Sequence, residues 1–314
     1  MNVSVRRREV LGVIAGVVAS ACERPVARTA PSASTAKAPE APPKPPKIAR
    51  SIELLDWKFP TEFGSEKRCV VLVPRPIAVG QRLPVVVALH GLGEATDAES
   101  GAFGWARRYD LDKTMPRLFD DLPIAGDVFG GFVTPERLVE VNAGLEQHPF
   151  GGVIVACPYM PSFVGGGAMS FETYAQWMGD RLLPRLRAEL PVLPDAKATG
   201  IDGVSLGGWC ALRVGLHRPD LFGAIGTLQP AIADASMVDH AMALLQQKLG
   251  GRPLQIVTST EDYFRETCTQ LHQRLTAKGI AHAFRVTPGP HDYPWNKGAG
   301  GVEMLLFHDR ALRG

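Results

Sequence analysis

Seven short apolar runs, separated by segments with helical periodicity, dominate the chain from residue 66 onward. They occupy residues 67–74, 83–91, 151–159, 197–205, 222–232, 253–260 and 281–288. Near-continuous apolar strands that alternate with amphipathic helices are typical of a mostly parallel sheet covered by helices on both faces. The pattern therefore predicts an α/β fold. It also predicts where functional side chains lie, because such sheets carry their sites at the carboxyl ends of the strands.

The first 21 residues have the composition of an export signal. A basic start containing Arg7 and Arg8 precedes an apolar run from Val10 to Val18, and small residues follow. The adjacent arginines resemble the twin-arginine signal of bacteria, with an ordinary signal peptide as the alternative. The apolar run is shorter than the ~20 residues that a membrane-spanning helix needs. We therefore expect export from a bacterial cytoplasm to the periplasm or the cell exterior.

Cys22 marks the predicted end of this signal. The sequence Ala19-Ser20-Ala21-Cys22 resembles a lipoprotein signal, in which the cysteine is lipidated and becomes the new N-terminus. The match is imperfect, because leucine is usual where Ala19 stands, and an ordinary signal peptidase would cut at the same bond. We favour the lipoprotein interpretation, which makes a membrane the partner of this chain through a lipid anchor at Cys22.

Residues 22–50 are predicted to form a disordered tether. They are rich in Pro, Ala and charge, and they lack the large apolar side chains that would offset the entropy lost on ordering. The whole chain has a net charge of +2; residues 1–21 carry +2 and residues 22–50 carry +4, which leaves −4 for residues 51–314. The predicted domain, residues 51–314, thus has no charge signature of a nucleic-acid partner.

Ser205 stands in the sequence TGIDGVSLGG, residues 199–208, between a predicted strand and a predicted helix. This is the setting of a nucleophile elbow, in which serine occupies a sharp turn and flanking glycines avoid steric collision. Ser205 is therefore a candidate nucleophile, with a small turn residue as the alternative interpretation. The start of a helix leaves backbone N–H groups without partners, so we expect the Leu206 N–H to stabilise an oxyanion.

A serine nucleophile needs a base, and His291 is the candidate among eight histidines. It follows the last predicted strand in the loop TPGPHDYPW, which is too rich in Pro and Gly to be a helix interior. His308 lies on the final predicted helix, where a structural role in the core or at an interface is expected. The remaining histidines fall within or near other predicted helices and strands, or within an unpatterned insertion.

Asp262 is the candidate for the acid that orients the histidine ring. It comes directly after the strand at 253–260, whereas Glu261 and Asp234 are the alternatives. A helix N-cap is the plain structural role for an aspartate at this place. The chain order of serine, then aspartate, then histidine is the order found in α/β-hydrolases.

The second oxyanion donor is expected from the loop after an early strand. His90-Gly91-Leu92-Gly93 follows the apolar run at residues 85–89, and its glycines let the backbone approach a reacting carbonyl closely. We expect the Leu92 N–H to be the donor, with the Gly91 N–H as the alternative, and we expect His90 to be structural.

With these elements, the chain resembles the esterase group of α/β-hydrolases that holds esterase D, feruloyl and acetyl-xylan esterases and polyhydroxybutyrate depolymerases. The stretches that carry the resemblance are LHGLGE, GVSLGGWCALRVGLHRPDLFGAIGTLQPAI, TED and GPHDYPW, and looser similarity extends over most of residues 66–313. The resemblance implies an α/β-hydrolase fold. It also implies specific roles: nucleophile Ser205, base His291, acid Asp262, and an oxyanion hole at Leu92 and Leu206.

The expected activity is hydrolysis of small or polymer-linked carboxylic esters through an acyl-enzyme, with no metal and no organic cofactor. A peptidase or an acyltransferase with the same triad is the close alternative. A surface lipoprotein that retains the fold without catalysis is the alternative from another class.

Two further expectations concern the rest of the domain. Residues 94–150 are longer than one crossover helix requires, and together with residues 160–169 they are expected to shape the substrate pocket. The four cysteines after Cys22 lie in strand or helix patterns, so buried free thiols are expected rather than disulfides. These are Cys69, Cys157, Cys210 and Cys268.

Overall fold

The computed structural model describes residues 50–62, 65–119, 122–161 and 170–313. The predicted export signal, Cys22 and residues 22–49 of the predicted tether lie outside these ranges. Residues 162–169, which belong to the second predicted pocket segment, also lie outside them.

Eight strands of the described part form one sheet. They are β1 (Ser51–Glu62), β2 (Ser65–Arg75), β3 (Val85–Leu89), β4 (Ile154–Pro158), β5 (Thr199–Gly203), β6 (Ala224–Leu228), β7 (Leu254–Glu261) and β8 (Ala283–Pro290). Their spatial order is β1-β2-β4-β3-β5-β6-β7-β8. β2 runs antiparallel to both β1 and β4, and every other neighbouring pair is parallel. The prediction of a mostly parallel α/β sheet is confirmed.

β1 is a strand that the apolar runs did not predict. Its alternation is clear in the structure: Leu55, Trp57 and Phe59 pack on the core, while Asp56 and Lys58 are exposed. An antiparallel strand can pack one face on the core and expose the other face to solvent. Polar and apolar residues then alternate along it, and no continuous apolar run appears. The missed strand therefore differs from the predicted ones for a physical reason.

Helices cover both faces of this sheet. They are α1 (Ala98–Ala102), α2 (Leu111–Arg117), α3 (Pro135–Gln147), α4 (Phe171–Trp177), α5 (Leu183–Glu189), α6 (Leu206–His217), α7 (Ala235–Lys248), α8 (Arg265–Ala277), α9 (Tyr293–Trp295) and α10 (Gly301–Ala311). Successive residues of β3 enter two separate cores: Val85 and Val87 pack with α4–α8, whereas Val86 packs with α1–α3 and α10. No helix within the described ranges is long and apolar enough to span a membrane.

Much of the insertion at 94–150 is core. Its side chains Trp105, Tyr109 and Phe129 are at most 1% exposed and belong to the cluster under α10. The segment lacks a readable period because its helices are short, with a π-helical turn between α1 and α2 and a proline inside α2. A π turn and a proline both interrupt the 3.6-residue repeat on which sequence patterns depend.

The four cysteines of the described part are free and buried, as predicted. Burial raises the pKa of the Cys157 thiol well above its usual range, and it acts in the same direction on the other three. A thiol that stays protonated is a poor nucleophile and a poor metal ligand. These cysteines therefore contribute packing to the core.

Candidate active site

Ser205 lies in the turn between β5 and α6, with backbone angles φ 57° and ψ −118°. A positive φ at a residue other than glycine is strained, and such strain is found where a structure holds a side chain for function. The turn is tied to the end of the next strand, because the Ser205 N–H donates to the Leu228 carbonyl at 2.9 Å. This is the strand–turn–helix geometry predicted from the sequence.

The glycines on either side of Ser205 are required by close backbone approach. A Cβ atom at Gly203 would lie 2.4 Å from the carbonyl of Gly207. A Cβ at Gly207 would lie 2.4 Å from the carbonyl oxygens of Leu89 and His90. Because the obstacles are backbone atoms rather than flexible side chains, neither position has room for alanine. The turn is thus pressed against the end of β3, which carries the predicted oxyanion loop.

His291 and Asp262 are hydrogen-bonded to each other. Nδ1 of His291 lies 2.7 Å from Oδ1 of Asp262, whose side chain is fully buried, while the His291 side chain is 14% exposed. The carboxylate is held by two further donors, the Thr258 hydroxyl at 2.6 Å on Oδ2 and the Phe264 N–H at 3.0 Å on Oδ1. On one side, the His291 ring packs against Tyr263 and Phe264. The two side chains predicted as acid and base are therefore in hydrogen-bond contact.

Ser205 and His291 line one cleft of about 290 Å³. Its lining residues are Gly91, Leu92, Gly93, Glu94, Val204, Ser205, His291, Asp292, Tyr293 and Asn296. Among the described residues, no direct hydrogen bond joins Ser205 to the His291 ring; catalytic hydrogen bonds often tighten only when a substrate binds. Within the insertion at 94–150, Glu94 is the described residue that reaches this cleft. The other described residues of the insertion do not line this cleft.

A larger cleft of about 950 Å³ lies at the opposite ends of the strands, beside the amino ends of β5, β6 and β7. It contains none of the predicted site residues. In parallel sheets the functional edge is the carboxyl edge, so position identifies the smaller cleft as the candidate site. The described ranges also hold no group of three or more His, Cys, Asp or Glu side chains that is arranged to bind a metal ion.

The two residues predicted to donate to an oxyanion lie at or next to this cleft: Leu92 lines it, and Leu206 directly follows Ser205. Leu206 and Leu92 are each the first residue of a helical turn, so neither N–H has an intrahelical partner. The Gly91 N–H, the alternative to Leu92, instead donates to the Tyr109 hydroxyl at 3.0 Å. The structure thus leaves Leu92 as the better donor.

His90 fixes the direction of the Leu92 N–H. The Met160 N–H donates to Nε2 of His90 at 2.9 Å, so the ring proton resides on Nδ1, which lies 2.8 Å from the Gly91 carbonyl oxygen. That carbonyl and the Leu92 N–H belong to one planar trans peptide and point in opposite directions. Burial lowers the pKa of His90, which keeps the ring neutral as this arrangement needs. The structural role expected for His90 is confirmed.

The alternative acids occupy other roles. Glu261 is an exposed residue at the end of β7, and Asp234 caps α7 by accepting from the Met237 N–H at 3.0 Å. His308 is fully buried and lies 3.0 Å from Asp202, away from the cleft. The structure therefore brings together the predicted set and leaves these alternatives apart.

Sequence reasoning missed several supporting residues. Thr258 holds Asp262, and the buried Gln229 side chain donates to Ser259 at 2.7 Å and to the Pro290 carbonyl at 3.0 Å, directly before His291. Gln229 also has a positive φ of 43°, a sign of a constrained position. Its place immediately after β6 is a signal that the strand-end rule would have found.

Comparisons with known proteins show which proteins this chain is similar to. Residues 164–298, which include Ser205, Asp262 and His291, match the family model described as "Putative esterase". Over 144 residues, 40% of this chain, the sequence is 32% identical to iron(III) salmochelin esterase of Escherichia coli O6:H1 (strain CFT073). The matched stretch spans 35% of that esterase.

Solved structures share the fold over most of this chain. A ferulic acid esterase has a TM-score of 0.61 at 16% identity, over 83% of this chain and 99% of its own. The fluorophosphonate-binding serine hydrolase F of Staphylococcus aureus has a TM-score of 0.58 at 13% identity, over 82% and 99%. At these identities the likeness concerns architecture, and the architecture is that of the α/β-hydrolases.

Proposed function

We propose that this chain, an α/β-hydrolase of the esterase type, hydrolyses carboxylic esters with Ser205 as nucleophile, His291 as base and Asp262 as orienting acid. One observation carries the proposal: Ser205 occupies a strained strand–helix turn in the same cleft as a histidine bonded to a buried aspartate. Nucleophile, base and orienting group in this arrangement form the general machinery for acyl transfer.

In the first half of the reaction, Ser205 Oγ attacks the ester carbonyl carbon while Nε2 of His291 accepts the hydroxyl proton. The carbonyl oxygen becomes an oxyanion, which accepts hydrogen bonds from the N–H groups of Leu92 and Leu206. Preorganised donors of this kind are worth about 10²–10³ in rate each, because they act on charge that exists only in the transition state. The tetrahedral intermediate then expels the alcohol, which takes its proton from His291.

In the second half, water attacks the acyl-serine and gives its proton to His291. The same two N–H groups stabilise the second oxyanion, and collapse breaks the bond to Ser205 Oγ, which takes the proton back from His291 as the carboxylic acid leaves. Asp262 accepts from Nδ1–H throughout, which keeps the proton-accepting nitrogen, Nε2, directed toward the cleft. Each step uses groups of this chain and water alone.

Two considerations support ester over amide substrates. The related proteins named above are described as esterases of ferulic acid and of iron(III) salmochelin. An alcohol or phenol is also a better leaving group than an amine, so it requires less assistance from the histidine. The cleft of about 290 Å³ is open enough for an ester carried on a small molecule or on a polymer end.

The test is turnover of a matched pair, 4-nitrophenyl acetate and 4-nitroacetanilide, by the wild type and by Ser205→Ala. We expect turnover of the ester, a loss of at least about 10⁴ in kcat on substitution, and little or no amide cleavage. Equal rates for the wild type and Ser205→Ala would refute the proposal, and preferential amide cleavage would make the chain a peptidase.

We also propose, from the sequence alone, that residues 1–21 direct export and that Cys22 carries a lipid. The motivation is the basic, apolar and small-residue order that ends at Cys22. In a bacterial host, the full chain should enter the detergent phase of a Triton X-114 partition, whereas Cys22→Ala should remain in the aqueous phase. Equal partitioning of the two proteins would show that Cys22 carries no lipid anchor.

A further inference from the structure

A buried carboxylate, Glu94, lies beside the cleft and has no part in the reaction steps above. It is 3% exposed and ends the short helical turn that begins at Leu92. Both carboxylate oxygens accept from tyrosine hydroxyls: Tyr109 donates to Oε2, and Tyr293 donates to Oε1 at 2.7 Å. Hydrogen bonds to an ionised acceptor are roughly twice as strong as neutral ones, so this carboxylate fixes two rings.

One of these tyrosines is attached to the oxyanion loop, residues 90–94. The Tyr109 hydroxyl donates to Glu94 and accepts the Gly91 N–H at 3.0 Å. The loop is therefore held at Gly91 and at Glu94, on both sides of Leu92. Because the Gly91 N–H is occupied, the Leu92 N–H remains the proposed oxyanion donor of this loop.

The other tyrosine is attached to the histidine loop, residues 290–293. Tyr293 comes two residues after His291, and its ring crosses the oxyanion loop so closely that a Cβ at Gly93 would lie 2.8 Å from the hydroxyl. Its hydroxyl reaches the other oxygen of Glu94. A single carboxylate thus links the loop that carries an oxyanion donor to the loop that carries the base.

We propose that Glu94 is a positioning residue that holds the Leu92 N–H and the His291 ring in register with Ser205 by bridging the oxyanion loop to the histidine loop. This inference rests on the proposed esterase function, since it assigns a role within that reaction. A misplacement of about 1 Å at reacting groups can cost about 10²-fold in rate, so loss of the bridge should lower kcat measurably.

The protonation states of the bridge suit this role. Burial raises the pKa of Tyr109 well above its usual value, and the hydrogen bond to Glu94 raises the pKa of Tyr293. Both phenols therefore keep the protons that they donate across the neutral range.

The experiment compares wild type with Glu94→Gln, Tyr109→Phe and Tyr293→Phe. Thr199→Val is the control, since it removes a buried hydroxyl that donates to the Asp195 carbonyl at the amino end of β5, away from the cleft. Active sites are first counted by titration with a fluorophosphonate. Then kcat and KM for 4-nitrophenyl acetate are measured per titrated site, together with the Ki of a trifluoromethyl ketone, whose adduct with serine carries an oxyanion.

We expect Glu94→Gln to lower kcat per titrated site by about 10- to 100-fold, with KM within about twofold and the ketone weakened by a similar factor. Tyr109→Phe and Tyr293→Phe should each have a smaller effect of the same kind, and Thr199→Val should match the wild type. Adding Tyr293→Phe to Glu94→Gln should change kcat by less than about twofold relative to Glu94→Gln alone, because both substitutions weaken the same link between Tyr293 and Glu94.

A purely structural role would give another result: a lower melting temperature, with unchanged kcat per titrated site and unchanged ketone affinity in Glu94→Gln and Tyr293→Phe. A rise in KM at constant kcat would assign Glu94 to substrate binding. Either outcome overturns the positioning role. Failure of the proposed function is distinct, since wild type itself would then neither titrate nor turn over the ester.

Discussion

The molecule contains two histidine–aspartate pairs with nearly the same chemistry and different settings. His291 lies 2.7 Å from Asp262, and His308 lies 3.0 Å from Asp202. The His291 side chain is 14% exposed, whereas both members of the second pair are fully buried. A hydrogen bond between these residue types is therefore no sufficient sign of catalysis.

The surroundings of the two pairs explain the difference. His291 and Asp262 each follow directly after a strand at the carboxyl edge of the sheet, where Ser205 also lies. His308 lies on α10 and reaches Asp202 within β5.

The space for the buried pair comes from strand glycines. A Cβ at Gly200 would lie 2.3 Å from the His308 ring, and a Cβ at Gly226 would meet the Asp202 carboxylate. Glycines on two neighbouring strands thus leave a pocket that the pair fills. We conclude that the His308–Asp202 pair supports the sheet beneath the turn at Ser205. The two pairs differ in that His291 lines the same cleft as a nucleophile and His308 does not.

The largest expected effect that tests this comparison is on activity. His291→Ala should lower kcat for 4-nitrophenyl acetate by roughly 10⁵–10⁶, because it removes the base of a cooperative triad. His308→Ala should instead lower the free energy of unfolding by about 3–5 kcal/mol, since it leaves Asp202 buried without its partner. Steady-state kinetics and urea denaturation separate these outcomes; similar losses of kcat per folded chain in both variants would show that the two pairs do not differ in role.

A smaller effect is expected from the aspartates. In Asp262→Asn, the amide would face donors on both sides and would favour the wrong tautomer of His291, so kcat should fall by about 10⁴. Asp202→Asn should keep kcat per titrated site within about tenfold and cost about 1–3 kcal/mol of stability. The carboxylate accepts from the Gly203 N–H at 2.7 Å and from the His308 ring on its two oxygens, and an amide has one oxygen to replace them. Near-normal activity in Asp262→Asn would show that another acid orients the base.

The smallest effect concerns pH. Burial raises the pKa of Asp202 above its ordinary value of 3.8. Between that value and the folded-state pKa the folded protein binds more protons than the unfolded chain, so this group lowers the free energy of unfolding as pH rises. Denaturation of wild type and Asp202→Asn from pH 4 upward should show the deficit of the variant shrinking with pH. A deficit that stays constant or grows would contradict the assigned shift.

Much of the site was predictable because strand ends can be read from sequence. Ser205, Asp262 and His291 each follow an apolar run, and the parallel sheet requires those runs to end at one edge. Leu92 and Leu206 follow from the same rule together with the free N–H groups at helix starts. The fold class was predictable for the same reason, apart from β1, whose wet face breaks the apolar run.

The supporting residues were not predictable because their contacts depend on packing between distant segments. Tyr109 reaches Gly91 only because the short helices of the insertion fold against the sheet, and their irregular turns hide the period. Tyr293 and Glu94 are separated by 199 positions, so nothing in the local sequence of either indicates the other. The choice between His291 and His308 could be made from loop context, but the partner of His308 could not be named.

The most direct test of the central claim is the site of covalent labelling by a fluorophosphonate. Wild type, Ser205→Ala and His308→Ala would be treated and then analysed by intact mass and peptide mapping. The account predicts one adduct per chain, located on Ser205, absent from Ser205→Ala and retained in folded His308→Ala. No adduct on folded wild type, or an adduct that persists in Ser205→Ala, would contradict it.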